Sequence, residues 1–326
     1  MLSLVVPCLV ALLASSAQAS NGHIYALSLN GTTNLANLLI ADLDTYIVAA
    51  GPPLPGIRPI GQAAAVSPDG STFFAFAIVS TASGEGTFLL TLSTATGAVL
   101  ALTNTSTWPG SNGTHLFVDD LFAHPEGGLL ALARPLGPAS PPHQLLLRIA
   151  GASASLLGAV PESGGDCAWD AAGSLLYEVL PGANDEDSGS LATVSTGPGT
   201  PRVLGTPLPL QAHFGFPQWS AARGALVGLS LYAGGPYGYS RNVTLLNPKT
   251  GEFTDLGGLG DDYVVLEDGP KALSASGNTA YFMLASGPFA EFDVVAVDIS
   301  GAAVVKETVG LCGFIGYCPE GFALGP

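Results

Sequence analysis

Short apolar runs separated by tight polar turns fill almost the whole of this 326-residue chain, and one phrase keeps returning. It reads Ala-Val-Ser-Pro-Asp-Gly over Ala65–Gly70 and is followed by the apolar run Phe73–Ala77. It returns as Ala-His-Pro-Glu-Gly over Ala123–Gly127, followed by Leu129–Ala133. Looser copies end at Gly173, Gly224 and Gly277, and an isolated first copy ends at Gly22. The runs are too short for helices and are bounded by Gly, Pro, Ser and Asp, so they predict β-strands.

Spaced about 50 residues apart, the six glycines predict one four-stranded unit repeated six times. A second turn keeps step with the first: Leu92–Gly97 and Leu246–Gly251 each close on a glycine at the same distance from the preceding marker. Ile149–Gly151 and Val297–Gly301 repeat it slightly earlier in their units. Each unit therefore reads as strand A, the first turn, strand B, a variable loop, strand C, the second turn and strand D. In the second unit these strands are Gln62–Val66, Thr72–Ala77, Phe88–Leu92 and Ala98–Leu102, with Ser80–Gly86 as the variable loop. The first unit has its B strand at Gly22–Leu29, C at Asn37–Leu43 and D at Tyr46–Ala50, with no room for an A strand before them. The tail Gly310–Leu324 is expected to supply it. The expected fold is all-β: a six-bladed β-propeller of four-stranded antiparallel blades, closed by the C-terminal tail as the inner strand of the first blade. Closure removes two sheet edges that would otherwise stay open to other chains.

The first 19 residues have a different character. Leu2–Ala14 is an apolar run and Ala17-Gln18-Ala19 supplies small residues for cleavage, although no Lys or Arg follows Met1. At 13 residues the run is shorter than the roughly 20 that cross a bilayer. We expect residues 1–19 to be a signal peptide, residues 20–326 to be a single propeller domain, and the product to be secreted. Later apolar runs are all interrupted by Gly, Ser or Pro, so no membrane span is expected after the leader is removed.

Charge narrows the partners. Nine Lys and Arg face 25 Asp and Glu, a net charge of −16, which opposes nucleic-acid binding because that affinity comes largely from neutralising phosphates. An oxidising compartment favours a disulfide between Cys312 and Cys318, which frame a short loop, with Cys167 left as a buried free thiol. The sequons at Asn30, Asn104, Asn112 and Asn242 fit a secreted glycoprotein.

No nucleophile elbow, His-Glu-x-x-His, phosphate loop or dinucleotide fingerprint is present in the sequence. One constellation carries possible chemistry. Asp120 and Asp166 stand seven residues before their marker glycines, at matching positions of adjacent blades, and Glu267 and Asp268 open another inner strand. Carboxylates converging on one axis could hold a hard cation such as calcium. The plainer alternative is that they cap strand starts and solvate the channel mouth. Asn184–Gly189 lacks the terminal Glu of a calcium loop, and the Tyr232–Tyr239 stretch reads as a Gly-rich loop with aromatics.

The turns Ser67–Gly70 and Asn247–Gly251 resemble those of YVTN-type and WD-repeat-like propellers, and Asp119–Arg134 is similar to blades of gluconolactonase-type and NHL propellers. The resemblance covers nearly the whole chain after the leader and implies a fold superfamily. In gluconolactonase-type relatives a channel site holds a catalytic metal, which implies calcium-dependent lactonase or esterase chemistry as one reading. Absence of hydrolase motifs weighs against an enzyme. The favoured reading is a binding or scaffolding propeller that holds a protein or glycan through its loops.

Overall fold

The structure is a computed structural model and describes residues 22–29, 35–42, 48–113, 115–134, 143–161, 167–182, 189–197, 199–233, 239–259, 263–264, 271–274, 276–286, 291–310 and 322–324. These residues contain strands and turns and no helix. Blade one holds β1 (His23–Leu29), β2 (Ala36–Asp42) and β3 (Val48–Ala50). Blade two is β4 (Ile57–Val66), β5 (Thr72–Thr81), β6 (Gly84–Ser93) and β7 (Val99–Asn104). Blade three is β8 (Phe117–Ala123), β9 (Leu129–Arg134), β10 (His143–Ala150) and β11 (Ser153–Pro161). Blade four is β12 (Cys167–Asp170), β13 (Leu175–Leu180) and β14 (Ser190–Ser195), with β15 (Arg202–Val203) and β16 (Leu208–Pro209) sharing the outer position. Blade five is β17 (His213–Ser220), β18 (Ala225–Ala233), β19 (Tyr239–Leu246) and β20 (Phe253–Gly258). Blade six is β21 (Tyr263–Val264) and β22 (Lys271–Leu273), which share the inner position, then β23 (Thr279–Ser286), β24 (Glu291–Asp298) and β25 (Val304–Gly310).

The last strand, β26 (Phe322–Leu324), pairs antiparallel with β1, placing Ile24 opposite Leu324 and Ala26 opposite Phe322. It also touches β4 and β22, the inner strands of the blades on either side, so the six antiparallel sheets close into a six-bladed propeller. The tail supplies the missing inner strand as expected, although only Phe322–Leu324 does so and Gly310 ends β25 instead.

Packing explains the apolar runs. Successive residues of a strand point to opposite faces, and each inner blade strand has a neighbouring blade on both. Thus Ala64 and Val66 pack with Tyr25, Leu27 and Leu38 of blade one, while Ala63 and Ala65 pack with Leu121 and Ala131 of blade three. Outer strands have no such cover, and β7 is exposed along most of its length.

Two details differ from the sequence reading. Strand β4 begins at Ile57, because Ile57–Pro59 pair with β5 before a bulge and the ladder resumes at Ala64. The expected loop Ser80–Gly86 is instead a hairpin: β5 and β6 extend to Thr81 and Gly84 and leave Ala82 and Ser83 as the turn.

Candidate functional site

The seam between blades three and four brings together Asp120, Cys167 and Glu178. It is otherwise apolar: Phe122, Leu130, Leu132 and Leu146 of blade three meet Trp169, Leu176 and Val194 of blade four. Asp120 lies on the Phe122 face of β8, opposite Leu132. Cys167 stands directly across from Glu178 in the β12–β13 ladder. The two blades meet where the Cys167 thiol donates a hydrogen bond to Asp120 Oδ2 at 2.9 Å.

Glu178 is fully buried, and neither carboxyl oxygen has a hydrogen-bond partner among the described residues. Burial, and then the charge of Asp120, push its pKa up to about 8. Desolvation disfavours the charged form of an acid, so Glu178 is largely neutral at pH 7. Burial also raises the Cys167 thiol well above its ordinary value, and the charge and hydrogen bond of Asp120 add to that. Lys271, buried on the inner strand of blade six, acts on the thiol in the opposite direction. Cys167 is therefore a protonated hydrogen-bond donor, far from the thiolate a nucleophile or metal ligand needs.

A bulge between Val118 and Asp120 gives the neighbouring Asp119 different partners. Arg134 Nε lies 2.9 Å from Asp119 Oδ1, and the buried Gln144 donates to Oδ2 at 2.7 Å. Gln218, on blade five, alternates with Trp219, which stacks on Tyr177 of blade four, so Gln218 faces blade six.

Of the four expected metal ligands only Asp120 is described, and Asp166, Glu267 and Asp268 lie outside the described residues. Among the described residues no group of three or more His, Cys, Asp and Glu is placed to hold a metal ion. Cys167 is free and buried as expected, whereas Cys312 and Cys318 lie outside the described residues, as do Asn30 and residues 1–19. Glu178 was not singled out from the sequence. Its signal was there to read, a lone acid in the middle of the apolar strand Leu-Leu-Tyr-Glu-Val-Leu.

No family model matches this chain, and no curated protein does. Solved structures do share its shape. TolB from Acinetobacter baumannii superposes with a TM-score of 0.57 at 16% identity, over 94% of this chain and 67% of that one. YjhT gives 0.58 at 12% identity, over 93% of this chain and 98% of that one. A candidate 6-phosphogluconolactonase from Bacteroides fragilis gives 0.55 at 10% identity, over 94% and 99% of the two chains. At these identities the likeness is one of fold, the β-propeller, and carries no function with it.

Proposed function

We propose that this chain is a secreted binding or scaffolding propeller, with residues 1–19 removed as a leader, which holds a protein or glycan on its loop surfaces. One observation carries the reading. The carboxylates that the structure describes at the opening of β8 are engaged within the protein, Asp119 with Arg134 and Gln144 and Asp120 with Cys167. Carboxylates already bound within the protein, Asp119 inside blade three and Asp120 across the seam to blade four, suit a rigid platform better than a hydrolytic centre, which needs poised acids facing substrate. The turns that resemble YVTN-type and WD-repeat-like propellers agree with such a platform.

The second reading is a calcium-dependent lactonase or esterase at the channel mouth, drawing on Asp120, Asp166, Glu267 and Asp268. Its support is the gluconolactonase-like segment Asp119–Arg134. Melting curves of the secreted protein and of Asp120→Asn, each in calcium and in chelator, decide between the two. A binding platform melts at the same temperature with and without calcium, and does not open simple lactones. A calcium-dependent rise that Asp120→Asn abolishes overturns it, since an ion bound only by the folded state must stabilise that state.

A further inference from the structure

Strand β7 is the outer edge of blade two, paired on one side only with β6. Val99 is 40%, Leu100 58% and Leu102 44% exposed. Proteins protect such edges with charges, prolines, bulges or a cover, because an exposed apolar edge recruits strands from other chains. The other outer strands have these devices. Asp255 lies within β20, Lys306 and Glu307 within β25, Arg202 within β15, and β3 is three residues long. Strand β11 ends in Pro161, and Pro201 packs so closely on it that a Cβ at Gly158 would lie 2.8 Å from the Pro201 ring. Strand β7 has no charge and no proline in its sequence Val-Leu-Ala-Leu-Thr-Asn. Its one device is a bulge that leaves Leu100 unpaired between Val99 and Ala101, and β11, β20 and β25 have such a bulge as well.

Its last residue supplies another kind of cover. Asn104 begins the sequon Asn104-Thr105-Ser106 and is exposed. Its Oδ1 accepts the Ser106 N–H at 2.8 Å, which fixes the amide plane, and its Nδ2 takes no partner among the described residues. Thr105 is buried and donates its hydroxyl to the Thr87 carbonyl at 2.8 Å, so Asn104 is held in place at the blade's rim. Asn242 offers the contrast. It sits within β19 between two partner strands, its Nδ2 donates to Asp255, and its sequon hydroxyl at Thr244 is buried 2.6 Å from Ser230 Oγ. A glycan there would have to break contacts that Asn104 does not make.

We infer that Asn104 carries an N-linked oligosaccharide that shields the apolar edge β7 from self-association. The inference rests on secretion through a glycosylating compartment. In the reaction the Asn104 Nδ2 attacks the anomeric carbon of a polyprenyl-diphosphate oligosaccharide. The new C–N bond forms as the C–O bond to diphosphate breaks, the lipid diphosphate leaves with the electron pair, and the amide nitrogen loses one proton. The strand spans about 17 Å from Val99 to Asn104, so a branched glycan at its end overhangs Leu100 and Leu102.

The full chain is expressed with its own leader in a eukaryotic secretory host, alongside Ser106→Ala, which deletes the sequon while keeping the Asn104 turn. Peptide mapping is expected to find glycan on the Asn104 peptide of the secreted protein and none on that of the variant. Sedimentation velocity is expected to show a monomer for the wild type and a concentration-dependent rise in sedimentation coefficient for Ser106→Ala. Adding Leu100→Lys to Ser106→Ala restores the monomer, since a charge on the edge replaces the missing cover. Trimming the folded wild-type protein with an endoglycosidase reproduces the association without any change in folding. A secreted protein bare at Asn104, or a trimmed protein that stays monomeric, overturns the inference and leaves secretion standing. Retention inside the cell without modification overturns both.

Discussion

Asp120 and Cys167 face each other across the seam of blades three and four, the thiol donating to the carboxylate at 2.9 Å while Glu178 lies opposite Cys167 on the adjoining strand. One charged acid, one neutral acid and one protonated thiol are thereby enclosed among Phe122, Leu132, Leu176 and other apolar side chains. Glu178 holds its proton because losing it would put a charge in a fully buried site beside the half-buried Asp120.

Glu178 therefore couples stability to pH. The folded state holds this proton more tightly than the unfolded chain does. Its contribution is full in acid and is lost as pH rises from about 4.5 to about 8. The greatest slope it can add is about 1.4 kcal/mol per pH unit. Glu178→Gln keeps the shape without the titration. Urea unfolding at several pH values is expected to show a smaller decline between pH 5 and pH 8 for the variant, and a more stable variant at pH 8. Parallel profiles would refute the buried-acid account.

Cys167 is expected to resist labelling in the native secreted protein, because it is buried and protonated. On denaturation without reductant one thiol should react, with Cys312 and Cys318 bridged. Three reactive thiols would remove the bridge, and a peptide linking Cys167 to either partner would reassign it.

Arg223 reaches from the first turn of blade five to blade six, where Nη2 donates to the Ile299 carbonyl and Nε to the Gly277 carbonyl at 3.4 Å. Hydrogen bonds from a charged donor are worth about 1.5–3 kcal/mol when well sheltered, and this side chain is only partly buried. Arg223→Ala is expected to cost about 1–2 kcal/mol in chemical denaturation. A cost indistinguishable from zero would mean that water replaces the contact freely.

Two turn glycines separate backbone strain from collision. Gly97 (φ +68°) and Gly127 (φ +91°) are both left-handed. A Cβ at Gly97 would lie 2.9 Å from the Gly51 Cα, whereas a Cβ at Gly127 meets nothing within 4 Å. Gly127→Ala should cost about 1 kcal/mol, the backbone penalty alone. Gly97→Ala should cost more by about 1–3 kcal/mol, because backbone must move to admit the methyl. Equal costs would show that the Gly51 approach relaxes freely.

The ring was legible because its turns need particular residues at particular φ. Gly70, Gly127, Gly224 and Gly277 adopt the left-handed conformation that made them useful markers. Blade four shows where the marker slips. Its left-handed residue is Ser174 (φ +51°), and Gly173 is instead required because its N–H binds Asp170 Oδ1 and a Cβ there would strike Asp170 Oδ2. Bulges were not legible: the irregular pairing before Ala64 and at Asp119 depends on neighbours that one strand's pattern does not record. Glu178 stands alone in an apolar strand, but which groups face it depends on the adjoining blade, since Asp120 comes from blade three.

The pairing of Ile24 with Leu324 also bears on the order of assembly. Blades two to six each draw their strands from one contiguous stretch, so their pairings are local and can form as the chain lengthens. Blade one cannot. Its β1 edge waits until Phe322–Leu324 has been made, the longest loop closure in the molecule and the one with the highest entropic cost. During synthesis the nascent ring is thus a nearly finished object with its β1 inner edge bare, and that edge is where a chaperone, or a second unfinished chain, would first take hold.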